Sequence, residues 1–221
     1  MPNVSIIIPT LNEEENIKRM IYGVKRVLNK YDYELIVVDG YSKDKTASIS
    51  SALGARVIYD KKGKGSALRE GFKSARGRII ISMDADLSNR PNELNLLISS
   101  INSGYDICMG SRFLSGGGSD DMPALRRMGN NFFVWLVNIL YGAHYTDLCY
   151  GYRSFSKEAI KILNLKEDGF GIETEISIKA RKHSLKVMEV PSFEKRRAHG
   201  EGKLRSIQDG YKILCTIFTN L

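Results

Sequence analysis

Cysteine is scarce and scattered: Cys108, Cys149 and Cys215 are odd in number, and no CxxC pair occurs. That argues against a disulfide framework or a cysteine-built zinc site, and points to a reducing compartment. Long apolar runs are also missing. The longest, Phe132–Tyr141 (FFVWLVNILY), is about half the ~18 residues of a membrane-spanning helix. No secretory leader is visible, because MPNVSIIIP opens directly on a strand-like run. Internal repeats and low-complexity segments are absent. The glycine-rich segment KGKGSALREG lacks the GxxxxGK[ST] spacing of a phosphate loop and does not match GxGxxG, so it reads as a loop entering a helix. No helix-turn-helix, zinc-finger or RNA-binding aromatic pattern appears, and nucleic acid is not an expected partner.

What is present fits one large soluble domain. The chain has 221 residues, and 43% hydrophobic with 26% charged content is ordinary for a globular protein. Acidic residues are outnumbered, 25 against 33 Lys and Arg, and the net charge of +8 suggests an anionic partner such as a nucleotide, a phosphorylated substrate or an acidic membrane surface.

Short β-branched runs alternate with helical spacing. Strands are predicted over Val4–Ile8, Glu34–Val38, Arg56–Tyr59, Ile79–Met83, Asp106–Met109 and Val187–Val190. Helices are predicted over Asn12–Leu28, Lys43–Leu53, Gly65–Ala75, Pro91–Ser103, Pro123–Tyr141, Gly171–His183 and Ser206–Asn220. Nearly continuous apolar strands alternating with helices predict an α/β fold, a parallel sheet covered on both faces. The reading is a single domain, with residues 1–112 binding a nucleotide and 113–221 facing an acceptor, and a flexible loop at SGGGSDD.

In such a sheet ligands bind beyond the carboxyl ends of the strands. The unusual polar residues fall there: TLNEEE after the first strand, Asp39 after the second, Asp84 and Asp86 after the fourth, Ser111 and Arg112 after the fifth. Asp84 and Asp86, one residue apart on an extended segment, would point the same way and repel unless a cation lies between them. A divalent metal with oxygen ligands answers this; a helix cap or loop turn is the alternative. Asp39 fits a contact to a base or ribose, or an Asx-turn before the next helix.

The ordered set VSIIIPTLNEEENI, ELIVVDGYSKDKT, KGKGSALREGFKSARG, MDADLS, MGSRF, LCYGYRSF, GFGIETEI and MEVPSFEKRRAHGEGKL resembles glycosyltransferase family 2, with the GT-A fold, and within it the polyprenyl (dolichyl) phosphate sugar synthases. The resemblance spans nearly the whole chain. It implies a Rossmann-like, mostly parallel sheet and an inverting, metal-dependent transfer of sugar from a nucleotide diphosphate donor to a polyprenyl phosphate. It implies that Pro9, Asn12, Glu13, Asp39 and Asp84 form the nucleotide-sugar pocket, and that Asp86, with Asp84, ligates Mg2+ or Mn2+. Asp86, Arg112 and Arg126 are then the catalytic candidates, and Arg112, Arg126, Arg197 and Lys203 meet the phosphates. It also implies peripheral contact with a membrane surface, on its cytoplasmic face. The chain departs from the pattern at Leu11, where an aromatic is common, and at Ser88, where relatives place Gln.

The acceptor decides whether a base is needed. A lipid monophosphate is already ionised and needs positioning by Arg112, Arg126, Arg153, Arg197 or Lys203. A sugar hydroxyl needs a general base, for which Glu173 or Glu175 and Asp147 are candidates. Glu173 and Glu175, two apart on a predicted helix, cannot share a face; Asp147 reads equally as a salt-bridge partner of Arg153. His199 fits a loop or phosphate contact, and His144 and His183 have no constellation around them. The Phe132–Tyr141 helix is either core or, with Arg126 and Arg127 before it, a membrane interface; Lys195, Arg196 and Arg197 would act likewise or form a solvated loop. Competing readings are transfer to a glycan hydroxyl, nucleotidyl transfer and non-catalytic nucleotide binding.

Overall fold

The computed structural model describes residues 2–200, 202 and 206–221. The elements are β1 (Val4–Thr10), α1 (Glu14–Val27), β2 (Tyr33–Asp39), α2 (Thr46–Ala52), β3 (Arg56–Tyr59), α3 (Lys64–Ser74), β4 (Ile79–Ser82), a single 3-10 turn at Pro91–Glu93, α4 (Leu94–Asn102), β5 (Ile107–Ser111), β6 (Gly118–Ser119), α5 (Ala124–Tyr141), β7 (Arg153–Ser156), α6 (Lys157–Leu163), α7 (Ile172–Lys182), β8 (Val187–Pro191), β9 (Phe193–Glu194) and α8 (Ser206–Thr219). Seven strands form one sheet in the order β3-β2-β1-β4-β7-β5-β8.

The period-2 pattern of the strands builds two cores. Along β1, Val4, Ile6 and Ile8 join one cluster, with Ile17, Met20, Ile21 and Val24 of α1 and Leu94, Leu97 and Ile98 of α4. Ile7 points through to the other, with Leu68 and Phe72 of α3, Ile172 and Ile176 of α7 and Ile213 and Ile217 of α8. Each fully buried isoleucine here contributes roughly 1.5–3 kcal/mol. α1 needs only its buried stripe at spacings of three and four to take its place; its acidic first turn (Glu14, Glu15) and basic last turn (Lys25, Arg26) also complement the helix dipole.

The sheet is not wholly parallel, as the apolar strands had suggested. β7 is antiparallel to both its neighbours, β4 and β5, with Ile79 opposite Ser156 and Ser82 opposite Arg153. Its sequence, RSFS, has a single apolar residue, so neither the strand nor the following α6 was predicted. β7 lies in the middle of the sheet because its polar groups are satisfied there: Ser154 Oγ donates to Leu97 O at 2.9 Å, and Ser156 caps α6 by accepting from Ala159 N at 3.1 Å.

Arg153 is 1% exposed. Its Nε donates to Tyr150 O, Nη1 to Glu173 O and Ser177 Oγ, and Nη2 to Leu148 O, all within 3.0 Å. It is a structural bolt between the start of β7 and α7, which corrects its reading as a phosphate ligand. Burial lowers its pKa, offset in part by Glu173 and Asp147. Arg153→Met would strand these buried acceptors. The urea midpoint should fall by an amount equivalent to roughly 3 kcal/mol; an unchanged midpoint would show that the guanidinium does not tie β7 to α7.

Candidate active site

At the carboxyl ends of β1, β2 and β4 a cavity of about 500 Å3 opens. Its floor carries Pro9, Thr10, Leu11 and Gly40 from strand ends, and its polar wall Lys64, Asp84, Asp86, Arg112, Glu173 and Arg197. The remaining wall is largely apolar, from Met122, Leu125 and Phe133 on or beside α5, Phe170 before α7, and Ile207 and Ile213 of α8.

Asp84 and Asp86 both reach this cavity, but not from one strand face. β4 ends at Ser82, and residues 83–89 form a loop in which Leu87 takes a left-handed φ of 68°. Fully buried Asn89 staples the loop: its Oδ1 accepts from Asp84 N at 2.7 Å and its Nδ2 donates to Tyr150 Oη at 3.0 Å. Ser88 N donates to Asp86 Oδ1, and Tyr152 Oη donates to Arg90 O.

The chain supplies its own cations. Lys64 Nζ lies 2.8 Å from Asp84 Oδ1 and 3.0 Å from Glu173 Oε1, both ion pairs. Arg197 bridges Asp86 at 2.9 Å and Glu13 at 2.8 Å. Burial would lower the Lys64 pKa, but Asp84 and Glu173 outweigh it and raise it, so Lys64 stays protonated at neutral pH. The same opposition, burial against Asp86 and Glu13, raises that of Arg197. Lys64 was missed from the sequence although its signal, GKG at a helix start, was noticed. The reason for the glycines is backbone contact rather than phosphate cradling: a Cβ on Gly65 would lie 2.5 Å from Glu167 O. Gly151 faces the cluster itself, where a Cβ would meet Lys64 Nζ at 2.9 Å and Glu173 Oε1 at 3.1 Å.

Of the other expected donor-site residues, Pro9 and Glu13 line the cavity, and Asn12 and Asp39 do not. Asp39 is 1% exposed; its oxygens accept from Ser42 N, Ser42 Oγ and Thr10 Oγ1. This is the Asx-turn alternative, and it occupies three of the carboxylate's acceptor positions. Asn12, at φ 54°, accepts from Lys43 N. Both brace the loops that shape the floor.

Arg112 is held in a bidentate pair by Asp147, at 2.7 and 2.9 Å, is joined by Glu194 at 3.2 Å, and lies 4.7 Å from the Tyr150 ring centre. Asp147 therefore pairs with Arg112 and not with Arg153, and its oxygens also accept from the N–H groups of Arg112 and Cys149. β9, paired with β6, is what delivers Glu194. Arg126 lines the cavity from α5, whereas Lys203 lies outside the described residues. Glu173 faces the cavity; Glu175 accepts from Lys166 N and Glu167 N and pairs with Lys179 at 2.7 Å, so only one of the two is at the site, as helical spacing required. Burial and Asp147 push the Cys149 thiol up to about 12, which removes it as a nucleophile at neutral pH. His199 is exposed beside Glu15 at 3.8 Å, and His144 and His183 are exposed and do not line the cavity. Lys195 and Arg196 are exposed while Arg197 turns inward.

Among the described residues no group of three His, Cys, Asp or Glu converges as a metal cage. Two cavity carboxylates fit a different kind of site, in which a magnesium-like ion is shared with the phosphates of a ligand. Among the described residues carboxylates also outnumber cations along the cavity, in a chain whose net charge is +8, so a polyphosphate bound there would gain from an added cation.

Residues 5–163 match the family described as Glycosyl transferase family 2. A dolichol-phosphate mannosyltransferase of Pyrococcus furiosus is 37% identical over 91% of the chain, which spans only 59% of that protein's length. A dolichyl-phosphate hexose transferase of Haloferax volcanii is 30% identical, covering 96% of the chain and 90% of that protein. Among solved structures, glucosyl-3-phosphoglycerate synthase from Mycobacterium tuberculosis in complex with Mn2+, UDP and glucosyl-3-phosphoglycerate superposes with a TM-score of 0.77 at 21% identity, over 99% of this chain and 80% of that one. With its motifs in order along a mostly parallel sheet, the chain belongs to glycosyl transferase family 2 and has the GT-A fold.

Proposed function

We propose that the protein is an inverting glycosyltransferase that moves a sugar from a UDP- or GDP-sugar to a polyprenyl phosphate at a membrane surface. One observation carries this reading: a single cavity joins a wall of carboxylates and cations to an apolar wall of α5 and α8 side chains. An acceptor with a phosphate head and a hydrocarbon tail uses both ends; a free sugar or a polysaccharide uses one. The names of the Pyrococcus and Haloferax relatives support the same acceptor.

The same two helices also carry exposed apolar surface. α5 exposes Leu125, Met128, Phe132, Trp135 and Ile139, a stripe at spacings of three and four, and α8 exposes Ile207, Tyr211 and Phe218. This supports the interface alternative for α5 over core: only Asn130, Phe133 and Val137 of the helix are buried. Among the described residues no helix is long and apolar enough to cross a membrane. Helices of this kind lie in the plane of the interface, with Arg126 and Arg127 placed for head groups.

The acid–base chemistry favours a phosphate acceptor. Asp147 is committed to Arg112, and Glu173 to Lys64. Neither is a free base for a hydroxyl. An ionised phosphate oxygen needs none: it attacks the anomeric carbon as the bond to the diphosphate breaks, and the centre inverts. Mg2+ or Mn2+ held by Asp84 and Asp86 would supply Lewis-acid stabilisation of the leaving diphosphate. Lys64 and Arg197 each hold a second carboxylate, Glu173 and Glu13, so either can leave its aspartate without being stranded. Arg112, fixed by two carboxylates, orients charge without moving.

Three outcomes are expected. Polyprenyl phosphate should be labelled from one of a panel of UDP- and GDP-sugars, with Mn2+ and not with EDTA, and Asp86→Ala should lower the rate by about 10²-fold or more; label that never enters the lipid phosphate would reject the acceptor. Gly151→Ala, which crowds Lys64 and Glu173, should cut transfer about tenfold while the melting temperature stays within a few degrees, because the obstruction lies among side chains at a cavity wall. Trp135 is the single tryptophan. Its emission should move to the blue on addition of anionic lipid vesicles, and an unchanged spectrum at saturating lipid would remove α5 from the interface.

A further inference from the structure

A series of hydrogen bonds runs behind the cavity wall. Asn89, Tyr150 and Ser192 are 0%, 3% and 2% exposed. Asn89 Oδ1 accepts from Asp84 N, which turns its Nδ2 to donate to Tyr150 Oη at 3.0 Å. Tyr150 Oη lies 3.2 Å from Ser192 Oγ, and Ser192 Oγ also meets Glu93 Oε2. A serine has one hydroxyl proton, and a carboxylate only accepts. The serine proton therefore goes to Glu93, and Tyr150 donates to Ser192. Glu93 Oε1 closes the series by accepting from Phe193 N at 3.1 Å.

Both ends of the series belong to the site. One is the backbone of Asp84. The other is Phe193, the residue before Glu194, which pairs with Arg112 at 3.2 Å. In the middle, the Tyr150 ring centre lies 4.7 Å from the Arg112 guanidinium. Gly110 lets the middle close: a Cβ there would lie 3.0 Å from Ser192 Cβ and 3.1 Å from Tyr150 Cε1. A phenylalanine ring would pack equally well beneath Arg112. A buried hydroxyl is unfavourable unless bonded, so the tyrosine is accounted for by the bonds its oxygen makes. Burial pushes the Tyr150 pKa up, against the bonds from Ser192 and Asn89, so the hydroxyl keeps its proton at neutral pH.

We infer that Tyr150 is a positioning residue for transfer: its hydroxyl ties the loop of Asp84 and Asp86 to the β8–β9 corner that carries Glu194, so that these acids and Arg112 are held at one fixed separation. The inference rests on the roles proposed above for Asp84, Asp86 and Arg112.

The test combines amide hydrogen exchange, read by NMR, with steady-state transfer to polyprenyl phosphate from the UDP- or GDP-sugar that labels it, all on the full chain. Tyr150→Phe keeps the ring and removes the link. The amides of Asp84 and Phe193 should both exchange about fivefold faster or more, while those of β1 hold, and kcat should fall about tenfold. Ser154→Ala is the control. It loses a buried hydroxyl bond in β7, away from the cavity, and should leave both amides and kcat unchanged. Faster exchange at Asp84 alone overturns the inference, because the two sides are then not joined through Tyr150. Faster exchange at both with an unchanged kcat overturns the positioning role. Faster exchange throughout the sheet marks a general loss of stability and overturns it as well. Should Tyr150→Phe fail to fold, Ser192→Ala cuts the series one bond further on; it should loosen the Phe193 amide and lower kcat, and the absence of either change overturns the inference. A wild type that labels no polyprenyl phosphate rejects the acceptor proposed above and not the link, which the exchange of the two amides still decides.

Discussion

Carboxylates at the edge of a low-dielectric core need a positive charge or donated hydrogen bonds beside them. That constraint organises the site. Asp84 and Asp86 sit at the end of a strand with fully buried neighbours, and Lys64 and Arg197 come to them from distant parts of the chain. To bring Lys64 in, α3 must start against the 167–169 backbone, which only glycine at 65 permits. To bring Arg197 in, the segment after β9 must fold back across the 83–89 loop, which it does through the bonds from Lys195 N to Ser88 O and from Ala198 N to Asp86 O. Neutralisation at one point therefore fixes the relative placement of three segments that are far apart in sequence.

The pattern of shared partners gives the site its chemical character. Each cation that meets an aspartate also meets a glutamate, and Arg112 meets Asp147 and Glu194. The charges are balanced locally rather than left over, so an anionic ligand has to be accommodated by rearranging pairs or by adding a cation.

The strands and helices of the first half were legible because each carries strong periodicity: α1 is bounded within two residues at its start and one at its end. β7 and α6 were not, because RSFS owes its central place to hydrogen bonds rather than to hydrophobicity. Of the residues expected at the site, Asp84, Asp86, Arg112, Arg126 and Arg197 stand at strand ends or in ordered motifs and line the cavity. Asp39 and Asn12 stand in equally suggestive places, do not line it and bond within their own loops, and only partner geometry separates the two cases. Lys64 escaped for the opposite reason. A lysine between glycines announces nothing until the acids opposite it are known.

The antiparallel insertion of β7 bears on how the chain folds. β4 and β5 never touch as strands; each pairs with β7 instead. The first 112 residues therefore cannot close their own sheet, and β4, apolar but for its last residue Ser82, remains an open edge until the segment around residue 155 emerges and docks. Such non-local pairing is slow, and an exposed apolar edge is a template for pairing between chains. The two halves of the chain are one folding unit, since the sheet begun by the first is finished only by a strand from the second.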